Sequence, residues 1–294
     1  MFALAATSAA HPWFLPLAAF VLGACIGSFL NVIIVRVPAG ESVIRPASHC
    51  ACGAPIAWYD NIPILSWFLL RGRARCCGRP FSPRYPAVEL LTALLFLACW
   101  LRYPPALAVC GWIFLSGLVA ATFIDLDHLM IPDVFTLGLG VAGVLLSCAV
   151  PTLHAQYAGI FTLDSFRSGA AGLEGLLIGS GLVLWIALLA GAVLKKEAMG
   201  LGDVKFAGAI GAFCGWHGAV FALFGGAVVG TAWLALALLG RQLVRRPEGT
   251  PETNALTFGS RLPFGPMLAV AGALYFLVLR GPVDAWFDRF TLLF

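Results

Sequence analysis

The chain has 294 residues, of which 61% are hydrophobic and only 11% are charged, and its mean hydropathy is +0.94. Because about a quarter of the residues of a soluble domain are charged, this composition excludes a soluble globular protein and indicates a polytopic membrane protein. The net charge of +4 does not indicate a nucleic-acid partner, because the basic residues cluster in loops and line no helix face.

Apolar runs that approach the length of about 20 residues needed to cross a bilayer recur along the chain. They lie at about 13–35, 86–101, 105–124, 133–151, 172–194, 204–217, 218–240 and 263–280. The first has no basic segment before it and is too long for a signal peptide, so we expect an uncleaved span. The run from Val204 to Gly240 is divided at Gly215-Trp216-His217-Gly218, which favours two helices with a tight turn.

These runs predict an all-α polytopic membrane protein of about eight transmembrane helices. A polar loop separates the first two helices and carries four of the nine cysteines. We therefore predict a first transmembrane helix at 1–35, a cysteine-containing loop domain at 36–85 and a membrane domain at 86–294. The other five cysteines lie within apolar runs and are expected to be packing residues.

The basic residues predict the orientation of the chain in the membrane. With eight spans, the loop at 36–85, the loop near 195–205 and the loop after Gly240 share one side, and they hold 14 of the 18 lysines and arginines. The positive-inside rule makes this side cytoplasmic and places the N-terminus outside. Asp125 and Asp203 both fall at cytoplasmic helix ends under this count.

Two polar motifs interrupt the apolar sequence. One is Phe123-Ile124-Asp125-Leu126-Asp127-His128 with Ile131-Pro132-Asp133, and the other is Gly200-Leu201-Gly202-Asp203-Val204-Lys205. Acids at the edge of membrane segments are costly and indicate a function. Two carboxyl groups can hydrolyse a peptide when one takes a proton from water and the other protonates the leaving group. We therefore predict a catalytic pair of Asp125 and Asp203.

Structural roles are the alternatives for the acids of these motifs. Asp203 lies near a helix start, where a carboxylate can serve as a cap, whereas Gly200 and Gly202 would allow a tight turn and the close approach of a substrate strand. Asp133 follows a proline and precedes an apolar run, so an N-cap role is expected for it. Asp127 fits a solvated helix end.

Together the motifs resemble the bacterial prepilin peptidases, the type IV leader peptidase family. The resemblance extends upstream to Gly27-Ser28-Phe29-Leu30-Asn31-Val32, Arg36, Pro38, Ser48-His49-Cys50, residues 58–67 from Trp58 to Trp67, and residues 84–93 from Arg84 to Ala93. These blocks run in the order of the family as far as about Lys205. The later helices match only in character.

This resemblance implies a bacterial inner-membrane enzyme with two activities. The first is cleavage, after a glycine and on the cytoplasmic side, of the basic leader of type IV prepilins or type II secretion pseudopilins. The second is methylation of the new N-terminal amine with S-adenosylmethionine, associated with the loop at 36–85. The resemblance carries the two catalytic aspartates onto Asp125 and Asp203, with Gly200, Gly202 and Lys205 beside the second.

The cysteines of the loop depart from the family pattern of two Cys-x-x-Cys pairs that bind zinc. Here they are Cys50, Cys52, Cys76 and Cys77, so one pair is a residue short and the other is adjacent. Four thiolates can still provide a tetrahedral zinc site, and the alternative is a loop that folds by packing alone. A disulfide is disfavoured, because the predicted location is the reducing cytoplasm.

Three other functions remain open from the residues. The two aspartates could relay a proton or cation in a secondary transporter, although both lie at one edge of the membrane and no paired broken helices are evident. The chain could be a peptidase without methyltransferase activity, which the altered cysteines permit. It could also be a structural component of a pilus or secretion assembly, in which case neither aspartate would be required.

Overall fold

A computed structural model describes residues 11–50, 52–195, 199–243 and 263–291. Within these ranges the regular structure is helical and no strand is formed beyond two isolated bridges, so the predicted all-α membrane fold is confirmed. The predicted polar loop at 245–261 lies outside the described residues. The predicted domain boundaries after residues 35 and 85 stay predictions.

The helices are introduced here in chain order with their bounds. They are α1 (Phe14–Arg36), α2 (Leu65–Leu69), α3 (Arg84–Arg102), α4 (Pro105–His128), α5 (Leu139–Ala149), α6 (Phe161–Leu194), α7 (Leu201–Leu243), α8 (Gly265–Leu274) and α9 (Arg280–Thr291). Short 3₁₀ turns occur at Trp58–Asn61 and Pro151–His154, and π-helical turns at Val134–Gly138 and Tyr275–Leu279 precede α5 and α9.

Six of the described helical segments are long and apolar enough to cross a bilayer. They are Phe14–Arg36, Arg84–Arg102, Pro105–His128, Phe161–Leu194, Leu201–Leu239 and Gly265–Arg289. The segment Val134–Ala149 is apolar but shorter. The predicted number of eight spans is therefore not confirmed, although the predicted runs all lie on helices.

The chain reverses direction within α7, at Gly215. This residue has a φ of 71° and a ψ of −179°, which interrupts the helix. A Cβ added to Gly211 would lie 3.2 Å from the Cβ of Ala219, although eight residues of a straight helix would separate them by ~12 Å. The turn predicted around Gly215 is therefore present, and it returns the second half of α7 against the first.

Glycines allow α1 and α3 to cross at close range. A Cβ on Gly23 would lie 2.7 Å from the Cα of Ala93, and a Cβ on Gly27 would lie 2.7 Å from the Cα of Glu89. Small residues at such crossings let two membrane helices pack backbone to backbone. This contact fixes the C-terminal end of α1 beside the start of α3.

Candidate active site

The first acid of the site, Asp125, lies in the last turn of α4. The helix ends there because Leu129 adopts a left-handed conformation with a φ of 53°, and its amide donates to the Asp125 carbonyl at 2.9 Å. Only 5% of Asp125 is exposed. Its Oδ2 atom has no hydrogen-bond partner among the described residues, which is rare for a buried polar atom and indicates a functional group.

The second acid, Asp203, lies in the first turn of α7. Its amide donates to the Gly200 carbonyl at 3.1 Å, and its side chain is partly exposed. Asp203 is close enough to Asp125 for their charges to repel each other. The structure thus brings together the two acids that the motifs single out, one buried and one partly exposed, although 78 positions separate them in the sequence.

Gly200 lies directly before α7, and Gly202 lies in its first turn. Neither glycine adopts a positive φ, and the hydrogen bond from the Asp203 amide to the Gly200 carbonyl closes a turn over residues 200–203. A Cβ on Gly200 would lie 3.8 Å from Asp203 Oδ2, and one on Gly202 would lie 3.8 Å from Ile131. These are normal contact distances, so the close approach of a substrate strand remains the predicted reason for glycine here.

A third glycine, Gly265, contacts the site and was not singled out from the sequence. It lies at the start of α8, and a Cβ on it would be 2.6 Å from Asp125 Oδ2 and 2.8 Å from Ile131 Cδ1. A side chain at this position would have to displace the Asp125 carboxyl group or the end of the Ile131 side chain. The signal in the sequence was Pro263-Phe264-Gly265-Pro266, a helix start before an apolar run, but nothing in it points to Asp125.

An ion pair joins the start of α3 to the end of α4. Arg84 NH1 donates to both carboxylate oxygens of Asp127, at 2.7 and 2.8 Å, and NH2 donates to the Phe123 carbonyl at 3.1 Å. The guanidinium also lies 4.8 Å from the centre of the Phe123 ring. Asp127 is therefore not merely a solvated helix end, because it anchors the turn that carries Asp125.

A second ion pair joins the start of α7 to the segment after α4. Lys205 Nζ lies 2.7 Å from Asp133 Oδ1 and holds the pKa of Asp133 below its usual value. Asp133 occupies the N-cap position of the π-helical turn, as predicted, but its carboxylate makes no capping bond to the backbone. Its charge instead pairs with the lysine that was expected to support Asp203.

The four loop cysteines form one cluster. Their sulfur atoms all lie within 4.8 Å of one another, with 3.5 Å between Cys50 and Cys77 and 3.5 Å between Cys52 and Cys76. A hydrogen bond from the Cys52 backbone, and then those from neighbouring thiols, lower the Cys50 pKa to about 7. Hydrogen bonds shared with Cys50 and Cys52 raise the pKa of Cys76 to about 12.

Each half of this cluster lies on a tight turn. Isolated bridges pair His49 with Pro55 and Arg73 with Pro80, so each cysteine pair lies on a short hairpin. Four sulfurs at a Zn–S distance of about 2.3 Å in a tetrahedron would be separated by ~3.8 Å. The observed separations fit this geometry, so the irregular spacing of the cysteines does not prevent a four-thiolate zinc site.

The fold and the site define a multi-pass helical membrane protein with two carboxyl groups at one end of the helix bundle. Residues 21–103 match the family described as the bacterial peptidase A24 N-terminal domain, and residues 112–235 match the type IV leader peptidase family. The chain belongs to the type IV leader peptidase family. The family resemblance predicted from the motifs is confirmed, and the transporter alternative is not favoured.

Three curated relatives illustrate the similarity. The prepilin leader peptidase/N-methyltransferase of Myxococcus xanthus (strain DK1622) is 43% identical over 251 residues, which cover 80% of this chain and 67% of the relative. The type 4 prepilin-like proteins leader peptide-processing enzyme of Escherichia coli O78:H11 is 36% identical over 286 residues, covering 89% and 93%. The prepilin leader peptidase/N-methyltransferase of Klebsiella pneumoniae is 41% identical over 207 residues, covering 67% and 84%. No solved structure was found to match the chain.

Proposed function

We propose that this protein is a prepilin leader peptidase and N-methyltransferase, with Asp125 and Asp203 as its catalytic aspartates. The observation that supports the peptidase assignment is the meeting of a buried and a partly exposed carboxyl group at adjoining helix ends. The names of the curated relatives support the choice of substrate. The substrates would be type IV prepilins or type II secretion pseudopilins.

The geometry suits a metal-free hydrolysis shared between two carboxyl groups. The ionised carboxylate takes a proton from a water molecule, and the oxygen of that water attacks the scissile carbonyl carbon. The protonated carboxyl group donates a hydrogen bond to the carbonyl oxygen. A proton then passes to the leaving amine as the C–N bond breaks. Asp203 is reachable by water, whereas Asp125 is enclosed by Gly265 and Ile131, so the pair lies at a boundary between solvent and protein.

Methylation would follow on the new N-terminal amine, with S-adenosylmethionine as the methyl donor. The amine nitrogen takes the methyl group from the sulfonium and loses a proton, which leaves the thioether S-adenosylhomocysteine. We assign this activity to the loop between α1 and α3, because the family resemblance associates methylation with residues 36–85, which lie within the matched N-terminal family region. A zinc ion held by Cys50, Cys52, Cys76 and Cys77 would cross-link the two hairpins of the loop.

The arginines of the loop support a cytoplasmic location for the site, in the inner membrane of a bacterium. Seven arginines lie between residues 36 and 85, and Arg36 and Arg84 mark the ends of α1 and α3 on this side. The carboxyl pair lies on the same side, because Arg84 contacts Asp127 in the turn of α4 that carries Asp125. A leader with basic residues would remain on that side.

The test of the peptidase assignment is leader removal by the variants Asp125→Asn and Asp203→Asn. Each is expected to lose cleavage of a co-expressed prepilin while still inserting into the membrane, because each removes one of the two acid–base groups. The control is Glu174→Gln, an exposed acid on α6 outside the site. Normal cleavage by either aspartate variant would refute the catalytic pair.

Mass spectrometry of the mature N-terminus tests the second activity separately. A methylated N-terminus from the wild-type enzyme is the expected result. Cleaved but unmethylated pilin would identify a peptidase that lacks methyltransferase activity. This outcome would leave the assignment of Asp125 and Asp203 unaffected.

A further inference from the structure

The loop between α1 and α3 presents an apolar face that no described residue covers. The exposed side chains of this face are Trp58, Leu65, Phe68 and Leu69. Trp58 is 81% exposed and Leu69 is 75% exposed. The opposite side of α2 is packed, since Ser66 is buried and Trp67 donates to the Phe81 carbonyl at 3.2 Å. Several large apolar side chains left exposed within a dozen residues of one loop indicate a binding partner.

A hydrogen bond sets the depth of this face relative to the membrane helices. The amide of Ile64 donates to Glu89 Oε2 at 2.7 Å, directly before α2 begins. Ile64 has a φ of 66°, a left-handed conformation that is rare for a β-branched residue and persists only when its surroundings impose it. The first residue of α2 is therefore held firmly against α3.

The length of α3 indicates how deep the contact between Ile64 and Glu89 lies in the bilayer. α3 has 19 residues, so it is ~28 Å long and barely crosses a hydrocarbon layer of about 30 Å. Its start at Arg84 must then lie at the hydrocarbon boundary. Glu89 is five residues further along, ~7.5 Å deeper, so the segment bonded to it lies within the headgroup region or below it.

The charge of the loop indicates the kind of lipid that this face would contact. Residues 36–85 contain seven arginines but only two acids, and one of these acids, Asp60, is paired with Arg75 at 2.8 Å. Arg71 and Arg73 follow α2 directly and are exposed. Tryptophan and arginine are enriched at membrane interfaces, where the indole lies among headgroups and the guanidinium reaches phosphate. Basic residues at this depth favour anionic lipids.

We propose that the apolar face of residues 58–69 inserts into the membrane interface beside α3, and that anionic phospholipid is its partner. The face contributes apolar contact with the acyl region, and Arg71 and Arg73 contribute contacts with the phosphates. If the proposed function is correct, a newly exposed N-terminus of a membrane-embedded pilin would emerge at that same surface, close to the loop that methylates it.

The experiment is photo-crosslinking of the full-length protein in vesicles of phosphatidylcholine and phosphatidylglycerol. One variant carries p-benzoylphenylalanine at the position of Phe68, and a matched control carries it at the position of Arg79, which is exposed on the cysteine hairpin. Phospholipid adducts identified by mass spectrometry are expected at position 68 and only background at position 79. Crosslinking needs no enzymatic activity, so its result does not depend on whether the protein cleaves prepilins.

Three outcomes would overturn the proposal. Equal lipid labelling at both positions would show that the face has no special contact with the bilayer. Crosslinking of position 68 to a second copy of the chain would show that the face is a protein interface. The same adduct yield at position 68 in vesicles of phosphatidylcholine alone would remove the anionic lipid as the partner.

Discussion

Replacement of Gly265 by alanine tests most directly how the helix packing positions the proposed catalytic pair. The added Cβ would lie 2.6 Å from Asp125 Oδ2 and 2.8 Å from Ile131 Cδ1, and both distances are shorter than real Cβ contacts allow. Either the carboxyl group of Asp125 or the start of α8 must shift. Because both atoms are the ends of side chains that can rotate, relieving this contact should cost less than the ~1–3 kcal/mol typical of an overpacked core.

The effect on catalysis should exceed the effect on folding. A displacement of about 1 Å in a catalytic group can reduce the rate by ~100-fold, which corresponds to ~2.7 kcal/mol of transition-state stabilisation. We therefore expect Gly265→Ala to reduce kcat/KM for leader cleavage by about two orders of magnitude. The assay is cleavage of a purified prepilin by enzyme in detergent or vesicles, followed by gel mobility or mass spectrometry.

A matched substitution and a folding readout make the result decisive. Gly181 lies within α6, and a Cβ added there meets no atom within 4 Å, so Gly181→Ala should cleave like the wild type. Thermal unfolding of both variants, followed by circular dichroism, reports whether Gly265→Ala still folds. A folded Gly265→Ala variant with wild-type kcat/KM would refute the role proposed for Gly265 in positioning the Asp125 carboxyl group.

Three further predictions concern the two ion pairs and the cysteine cluster. Arg84→Gln and Asp127→Asn should each reduce leader cleavage. A double-mutant cycle of the two should give a coupling of only ~0.5–1 kcal/mol in the free energy of unfolding, because both side chains are about one-third exposed, and additive effects would refute the ion pair. Lys205 lowers the pKa of Asp133, so the ion pair between them stabilises the fold above the ordinary aspartate pKa of about 4. This stabilisation is lost as the pH falls below that value and Asp133 becomes protonated. The difference in thermal stability between the wild type and Asp133→Asn should accordingly be present at neutral pH and vanish in acid, and a difference independent of pH would contradict the pairing. Finally, elemental analysis of the purified wild type should find one zinc ion per chain. The Cys77→Ser variant should lose this zinc but keep leader cleavage, because the cysteine cluster lies in the loop and not at the aspartates. Zinc retained by Cys77→Ser would exclude the four-thiolate site.

Much of the membrane architecture could be read from the chain. The apolar runs fall on the observed helices, and the turn predicted at Gly215 is present. The number of spans could not be predicted from the apolar runs, because the run after Asp133 forms only a short helix and the two halves of α7 are folded against each other. Hydropathy records which segments are apolar, but it does not record whether a segment crosses the bilayer or packs inside the bundle.

The cysteine loop shows the limit of spacing rules. The pairs Cys50–Cys52 and Cys76–Cys77 depart from the usual Cys-x-x-Cys pattern, so the sequence left zinc and simple packing as alternatives. The two hairpins bring all four sulfurs within 4.8 Å. Ligand geometry depends on where the backbone places each thiolate, and a hairpin can compensate for a missing or displaced residue.

The order of residues was enough to identify a helical membrane protein and to single out Asp125 and Asp203. A bilayer requires long apolar helices, and a charged residue at their edges stands out in such a chain. The surroundings of the pair became evident from the packing of the helices. Gly265 lies 140 positions after Asp125, and Arg84 lies 43 positions before Asp127, so no local pattern links them. These contacts arise from the way the helices pack, and that packing places a glycine where a side chain would meet the carboxyl group of Asp125.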